Sequence, residues 1–298
     1  EIILVQSKGM ERWVSMELAR HNGICANCWF PFPNHFAHRV FRELIPDMEE
    51  SSPFSPEIMT WKIMDALPRL LIAKGFESLR TYLSGESSEL KRFQLSQRIA
   101  ELYDQYLLFR PEMILDWDKG RDAQWQAVLW REIGKGCTGN HRAALKEMLF
   151  AKIKRPGVQP DAFPERISVF GISALPPYHV EILAAVSQLI RVNLFLMNPC
   201  REYWGDLLTR HEKRRIQERE RKKKVREEDL HLEPGNALLT SMGMLGRDFF
   251  ELIGNCEVEG HDHFAEPAGE SLISLIQNDI LNLRDCFAPS VVEAQLFG

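Results

Sequence analysis

The sequence predicts an α/β protein with a parallel sheet, and two observations support this fold class. Three short apolar runs have the composition of strands, and the first two are each followed by a polar loop and a pattern of helical period. Buried parallel strands have this continuous apolar character, and alternating strands and helices are typical of βαβ units. The predicted strands are Ile2–Val5, Ile167–Gly171 and Val192–Met197.

The first strand begins the stretch ILVQSKGMERWV, residues 3–14, which passes through a short polar loop into a helix. Nucleotide-binding α/β domains present a phosphate site in this layout. A P-loop also needs G-x-x-x-x-G-K-[ST], because its glycines let backbone amides approach the phosphates. Ser7-Lys8-Gly9 does not fit that pattern, and residues 169–175 at the end of the second strand, VFGISAL, hold no carboxylate for magnesium. The residues therefore predict no site for nucleotide hydrolysis.

Residues 46–161 are predicted to form a large all-helical insertion, which divides the α/β core into residues 1–45 and 162–208. Two apolar stripes at spacings of three and four indicate helices in the insertion. The stripes are Ile58, Trp61, Met64 and Leu67, and then Leu95, Ile99, Leu102, Tyr103 and Tyr106.

The second of these predicted helices also has a polar face. Glu101, Asp104 and Gln105 are three and four residues apart, so their side chains share one side. Carboxylates accept hydrogen bonds from cytosine amino groups, and glutamine pairs with adenine. Arg110 and Arg142 carry guanidinium groups, which suit phosphates and guanine edges. An ordinary polar helix face would have the same composition, so both interpretations stay open.

Residues 209–298 are predicted to be a charged segment followed by a helical region. The run Arg210–Arg226 holds ten Lys or Arg against three Glu. Interleaved Glu and missing aromatics favour a solvated helix or loop over a phosphate-binding strip. Apolar positions between Leu238 and Leu252 predict one helix, and Leu272–Leu283 predicts another.

The composition excludes several classes of function. A net charge of -5 over 298 residues argues against general attraction to nucleic acid or membrane and leaves room only for local basic patches. No run reaches the roughly 18 apolar residues of a membrane span, and no signal segment precedes the first strand, so we expect a cytoplasmic protein. Asp116 and Asp118 are interpreted as surface acids, and no catalytic motif stands out.

The six cysteines do not form the dense pattern of a disulfide framework, so reduced thiols are expected. Cys25 and Cys28, with Cys137 and His141, have ligand types that suit zinc. A second matched cysteine pair is missing, which favours an apolar turn over a metal site. We expect no bound metal.

Seven blocks along the chain resemble the RecC family, the gamma subunit of bacterial exodeoxyribonuclease V, the RecBCD helicase–nuclease. The likeness covers nearly the whole chain and is weaker at residues 120–139 and 210–235. Family members are several times longer and begin before Glu1, so the resemblance implies an N-terminal portion. The blocks are ILVQSKGMERW, FPFP (30–33), FQLS (93–96), LYDQYLLFRP (102–111), FGISALPP (170–177), NPCREYWGD (198–206) and LGRDFF (245–250).

The resemblance implies a superfamily-one helicase-like, P-loop-type core that has lost its ATPase. Related active helicases carry Asp-Glu after the second strand and a Gly-Asp-x-x-Gln loop after the third. Phe170-Gly171 and Asn198-Pro199-Cys200 are similar in position and lack those acids. This agrees with the missing carboxylate noted above.

The resemblance also implies a role in holding a single DNA strand and recognising Chi, the octameric recombination hotspot. Some residues match the family's recognition surface in identity, and others depart from the Thr, Gln, Leu, Trp and Asp of the best-studied members. Charged Lys8 and Arg12 in place of neutral residues should strengthen phosphate contact and alter base preference. The matching residues are Gln6, Leu102, Asp104, Gln105, Arg110 and Arg142; the departing ones are Lys8, Arg12, Phe32, His38 and Glu101.

The partners implied by the resemblance are RecB-like and RecD-like subunits and single-stranded or forked double-stranded DNA, without a membrane. ATP and magnesium would be used by those subunits, and no cofactor or activity is expected of this chain. The alternative is a module that mainly docks the motor and nuclease subunits. Its interface could be anchored by Trp61, Trp125, Trp130 and Trp204, although packing in the core is the more common role of tryptophan.

Overall fold

The computed structural model describes residues 1–45, 48, 52–85, 87–137, 139–155, 163–205, 207, 214, 235–269 and 271–284. The chain divides into two compact units. The first contains Glu1–Val169 and Pro176–Leu194, and the second contains Phe170–Leu175 and Phe195–Gly298. The predicted boundaries at residues 45, 161 and 208 stay predictions.

Among the described residues, the elements follow one another in chain order as one strand, eight helices, a strand, a helix, a strand and three further helices. The strands are β1 (Ile3–Leu4), β2 (Arg166–Phe170) and β3 (Arg191–Phe195). The first nine helices are α1 (Lys8–Asn22), α2 (Pro33–Leu44), α3 (Pro56–Leu70), α4 (Glu77–Tyr82), α5 (Ser88–Phe109), α6 (Pro111–Asp118), α7 (Trp125–Ile133), α8 (Arg142–Ile153) and α9 (Pro177–Val186). The last three are α10 (Ala237–Met242), α11 (Met244–Gly254) and α12 (Leu272–Leu281).

The three strands form one small sheet in the order β1-β2-β3. β1 pairs with β2 in parallel, with Ile3 opposite Ser168 and Leu4 opposite Val169. Leu4 and Val169 are buried. Helix α9 connects β2 to β3, as the double proline before it predicted, since proline suits the first turn of a helix. The predicted α/β class with a parallel sheet is therefore confirmed.

The helices between β1 and β2 include a group that shares a core of its own. Helix α3 packs along α5 and α7, and α6 closes the group. Tyr103 and Trp130 lie at the centre, with their ring centroids 5.4 Å apart. The Tyr103 hydroxyl donates a hydrogen bond of 2.7 Å to the carbonyl of Gln126, and burial raises the pKa of Tyr103 well above its ordinary value.

One of the two predicted stripes, that of α3, is only partly buried, because Leu67 lies in the core and Trp61 does not. In α3 the core side chains are Met59, Ile63 and Leu67, whereas Trp61 is 63% exposed and packs on Phe93. Both sets have helical spacing, and the helices that α3 packs against, α5 and α7, decide which set is buried. The α5 stripe is confirmed in its main positions, because Ile99 and Tyr103 are buried.

The second unit contains a small core of Cys200, Trp204, Leu207 and Leu239. The single helix predicted between Leu238 and Leu252 is two helices, α10 and α11, which meet at Gly243. A Cβ atom at Gly243 would collide with the carbonyl oxygen of Leu239, so the close turn there needs glycine. Apart from exposed Arg214, the charge run Arg210–Arg226 lies outside the described residues.

Among the described residues, no helix has the length and apolar character needed to cross a membrane.

Candidate nucleic-acid interface

Gln6, Lys8 and Arg12 lie in the first unit where β1 leads into α1, and we refer to these three residues as the edge. Ser7 caps α1 by accepting a hydrogen bond of 3.1 Å from the backbone amide of Met10. This cap fixes the start of the helix and leaves the edge side chains exposed. The Lys8 ammonium is 2.7 Å from a Glu11 carboxylate oxygen, and its side chain is 77% exposed. The edge therefore offers two cations and an amide to solvent.

Phe32 and His38 are carried by α2, next to the edge. Phe32 is the residue before the first helical position, and Pro33 then sets the helical backbone. The Lys8 ammonium lies 5.7 Å from the centroid of the half-buried Phe32 ring. The other ring neighbour of Phe32 is His35, stacked at 6.2 Å. Phe32 thus joins the edge to α2 and keeps part of its ring accessible.

Helices α2, α5, α8 and α9 meet around an ion pair that joins two of the predicted recognition residues. Arg142 Nη1 lies 2.9 Å from Asp104 Oδ1, and the two side chains are 26% and 24% exposed. The approach lacks hydrogen-bond geometry, so among the described residues both buried atoms are without a hydrogen-bond partner. We refer to His38, Asp104, Arg142, Tyr178 and His179 as the junction.

The electrostatics of the junction show a carboxylate whose burial is incompletely compensated. Burial raises the pKa of Asp104, and Arg142 opposes that effect without cancelling it. A guanidinium has five N–H donors, so Arg142 keeps further donors after contacting Asp104. The partly exposed pair therefore has donors and an acceptor oxygen beyond the two atoms that meet in the ion pair.

The two histidines of the junction are shifted toward their neutral forms. Burial, and then the charge of Arg142, lower the pKa of His179 to about 4. His179 Nε2 lies 2.9 Å from the side-chain oxygen of Asn34, which a neutral ring can satisfy as donor. Burial also lowers the pKa of His38, with further contributions from Arg42, His35 and Arg142. At neutral pH, Arg42 and Arg142 therefore supply the positive charge around these two histidines.

Arg142 is held in place from behind by a buried network that the sequence did not reveal. His141 caps α8, with its Nδ1 accepting from the amide of Ala144 at 3.2 Å. That leaves the proton on Nε2, which donates to Asp118 at 2.6 Å. Trp130 Nε1 donates to the same carboxylate at 2.8 Å. The backbone that presents Arg142 is therefore anchored to α6 and α7.

The interpretation of Asp118 as a surface acid is wrong, because its carboxylate closes this network. Burial is the largest single influence on its pKa and would raise it, but the hydrogen bonds from His141 and Trp130 together lower the pKa of Asp118. Asp116 does lie at the surface, where it pairs with Arg121 at 2.7 Å. Among the described residues no cluster of three or more metal-binding side chains occurs.

Four predicted residues on α5 are not joined to the junction. Glu101 pairs with Arg98 at 2.9 Å on the helix surface, and Gln105 is exposed. Arg110 ends the helix with its guanidinium 5.7 Å from the centroid of the Tyr106 ring, and Leu102 is half-buried. Within the described parts of the chain, no hydrogen bond or ion pair connects Glu101, Gln105 or Arg110 to the junction. Glu101, Asp104 and Gln105 share a side of α5, and Asp104 forms an ion pair with Arg142 of α8.

One feature of the sequence points to the network of His141, Asp118 and Trp130. His141 directly precedes the apolar positions of α8, which is where capping residues occur. Histidine is not among the usual caps, so the pattern could raise the possibility without establishing it.

Comparison of the sequence with known proteins identifies its family. Residues 1–283 match the family model described as "RecC, N-terminal domain". The RecBCD enzyme subunit RecC of Escherichia coli strain K12 is 36% identical over 315 residues, covering 96% of this chain and 28% of that protein. The namesake subunit of Haemophilus influenzae is 32% identical, covering 96% of this chain and 31% of its own length, and that of Mycolicibacterium smegmatis is 27% identical, with 94% and 25% covered.

The chain spans less than a third of the length of these relatives. The match to the family model nevertheless extends over most of this chain and includes both the edge and the junction. The chain therefore belongs to the RecC family.

Proposed function

We propose that this chain is part of a non-catalytic, DNA-recognising subunit of a RecBCD-type helicase–nuclease that acts in recombinational DNA repair. The subunit guides the unwound single strand and recognises a Chi-like hotspot, while RecB-like and RecD-like subunits supply the motor and the nuclease. The names of the relatives support the complex, and the geometry of the first unit supports the recognition role.

The observation that carries the recognition role is the paired Arg142 and Asp104 at a meeting point of four helices. Atoms of two side chains from distant parts of the sequence are held 2.9 Å apart, and about a quarter of each side chain remains exposed. A guanidinium and a carboxylate together present donors and acceptors to a base edge, which is how proteins read bases directly. The exposed edge beside Phe32 adds the sequence-independent phosphate contact that positions a strand.

The proposed fold is a helicase-like core without its own ATPase. Residues 166–175, which form β2 and the turn after it, contain no Asp or Glu. The loop after the first strand, residues 5–9, also lacks the glycine pair of a P-loop. The acids that would hold magnesium in an active motor are absent from the turn after β2, which supports a core that binds the strand without turning over ATP.

The proposal is tested by salt-titrated binding of a fluorescent single-stranded oligonucleotide to the full-length protein. Asp104→Asn combined with Arg142→Gln removes the pair without leaving one buried charge alone. We expect weaker binding and a loss of preference between hotspot and scrambled strands, because lost base contacts cost about 1–3 kcal/mol selectively. Arg121→Gln is the matched control, since Arg121 forms an exposed ion pair away from the junction.

Two results would contradict the proposal. One is a double variant that binds every strand as the parent protein does at all salt concentrations. The other is ATP turnover by the full-length subunit alone after contaminating ATPases have been removed. A uniform loss of affinity with a reduced salt dependence would instead reassign Arg142 from base reading to phosphate contact.

An assembly module is the second candidate function, and exposed Trp61 is the observation that favours it. Of the four tryptophans considered as interface anchors, Trp61 is 63% exposed, whereas Trp130 and Trp204 are buried and Trp125 packs against the helical core. Aromatic residues at a surface are common anchors of protein interfaces. Trp61→Gln should weaken subunit assembly and leave strand binding unchanged if docking is the main role of this chain.

A further inference from the structure

A groove runs along the outer face of α2 and continues the proposed recognition surface. It encloses about 680 Å³, within the range of roughly 300–1,000 Å³ typical of ligand sites. Four of its six lining residues are Arg or His, and one is acidic. The lining residues are Trp29, His35, His38, Arg39, Arg42 and Glu43.

The face that α2 turns to this groove is fixed by what the helix buries on its other side. Phe36, Val40 and Phe41 are among the residues that anchor the helix in the core. The groove residues fall at positions 35, 38, 39 and 42, spaced three and four apart, so they share a side of the helix. These four side chains are therefore held on one face of a regular helix.

Positive groups converge at this groove without matching acids. Besides burial, which is the largest cause, the charges of Arg42, His35 and Arg142 all lower the pKa of His38. Among the described residues, neither Arg39 nor Arg42 forms an ion pair, and Glu43 is the single acid of the lining. A cluster of like charges is relieved by a bound anion, because each added cation makes the next one costlier.

An aromatic platform stands beside these cations. The indole of Trp29 is 39% exposed, and the Arg39 guanidinium carbon lies 4.8 Å from its ring centroid. The Trp29 backbone is tied to the first strand: its carbonyl accepts from Ile3 at 3.0 Å and its amide donates to Glu1 at 2.9 Å. An exposed, fixed aromatic ring next to arginines is the combination that holds the base and the phosphate of a single-stranded nucleic acid.

We propose that the α2 groove binds one nucleotide of a single strand, with the base on the Trp29–Arg39 platform and the phosphate against Arg42 and His35. This inference rests on the proposed function and extends it to Trp29, His35, Arg39 and Arg42, which the sequence did not single out. It also gives the strand a path along the surface, which runs from the junction past His38 into the groove.

The test compares three variants of the full-length protein in titrations with a labelled oligothymidylate and with an abasic deoxyribose-phosphate oligomer of equal length. Trp29→Ala should weaken oligothymidylate binding about 5- to 150-fold and leave the abasic oligomer unaffected, because only a base can stack. Trp29→Phe should restore most of the loss. Arg42→Gln should weaken both oligomers and lower the salt slope by about one.

Arg69→Gln on α3 is the control, because Arg69 is exposed and pairs with Asp65 at 3.0 Å outside the groove. Unchanged thermal melting of Arg42→Gln, an exposed position, keeps the test informative even if Trp29→Ala unfolds.

The groove proposal fails if Trp29 and Arg42 variants bind both oligomers as the parent does while the Asp104/Arg142 double variant is impaired. It also fails if oligoglutamate depends on Trp29 and Arg42 and the oligonucleotide does not, since the groove would then take an acidic peptide. A parent protein that binds no strand at any salt concentration overturns the proposed function itself.

Discussion

The edge and the junction carry the same kinds of side chain in opposite environments. At the edge, the Lys8 side chain is 77% exposed and its ion pair joins neighbours on one helix. At the junction, Arg142 and Asp104 are 26% and 24% exposed, and their ion pair joins two helices from distant parts of the chain. Removing a charge at the edge should therefore have little effect on the fold, whereas removing one at the junction should disturb the packing of the helices there.

This contrast suggests a division of labour. Exposed cations contribute affinity that salt screens, and they do not distinguish sequences. Partly buried groups with fixed positions discriminate, because a wrong ligand leaves them unsatisfied. The edge should therefore set how tightly a strand binds, and the junction should set which strand binds.

The largest expected effect breaks the support of the junction. Asp118→Ala removes the acceptor of both His141 and Trp130, and each unpaired buried donor costs about 1–3 kcal/mol. We expect the free energy of unfolding to fall by about 3–4 kcal/mol. Urea denaturation followed by tryptophan fluorescence measures this directly.

Asp116→Ala is the matched control, two residues away in the same helix. Asp116 pairs with Arg121 at the surface, and such pairs contribute about 0–1 kcal/mol. Equal losses for the two variants would show that the network around Asp118 does not anchor α8.

The second expected effect is a loss of stability as the pH falls. His179 has a folded pKa of about 4, below its ordinary value of 6.5, so the unfolded chain binds a proton first as pH falls. The stability from keeping this ring neutral is complete above pH 6.5 and is lost as pH falls from about 6.5 to about 4, up to about 3 kcal/mol.

His179→Gln keeps a donor that can reach Asn34 and removes the titration. Unfolding free energies measured between pH 7 and 4 should therefore fall less steeply for this variant than for the parent. The raised pKa of Asp104 acts in the opposite direction, and comparing the two proteins cancels it. Identical slopes would contradict a neutral, buried His179.

A third, smaller effect comes from breaking the ion pair on one side. Arg142→Ala leaves Asp104 partly buried without its counter-charge, and we expect a loss of about 2 kcal/mol, less than for a fully buried pair. The raised pKa of Asp104 should then rise further, which NMR titration of the carboxyl can detect. Asp104→Asn should restore part of the stability of Arg142→Ala, and no restoration would mean that the pair contributes little.

The smallest effect on stability is expected at the edge. Lys8→Gln combined with Arg12→Gln should change the unfolding free energy by less than about 0.5 kcal/mol, because both side chains are exposed. If both cations contact phosphates, the slope of log affinity against log salt should fall by about two. A change in hotspot preference without a change in slope would reverse the roles assigned to edge and junction.

Much of the fold is predictable from the sequence, because the buried positions of strands and helices recur at characteristic spacings. Ile167 and Val169 identify β2 in this way, and the prolines before α9 identify its start. The orientation of α3 is not predictable, since both Trp61 and Ile63 belong to stripes of helical period. The residues that α3 packs against determine which stripe is buried, and they lie far along the chain.

The candidate site, like the fold, is only partly predictable from the sequence. Resemblance to a family supplied Asp104 and Arg142, but spacing on one helix could not show that they pair, because they are on different helices. Asp118 was misread as a surface acid because its partners, His141 and Trp130, are distant in sequence. The α2 groove was missed because Trp29 lies in a loop and reaches Arg39 only in the folded chain.

We propose that a single strand lies on the edge and junction of the first unit, and photocrosslinking tests this contact. A strand with a photoreactive base at each position in turn is crosslinked to the full-length protein, and the crosslinked peptides are mapped. We expect crosslinks in the peptides that contain Lys8, His38 and Arg142. A strand that is bound and crosslinks efficiently, but only to peptides outside residues 1–194, would contradict this placement.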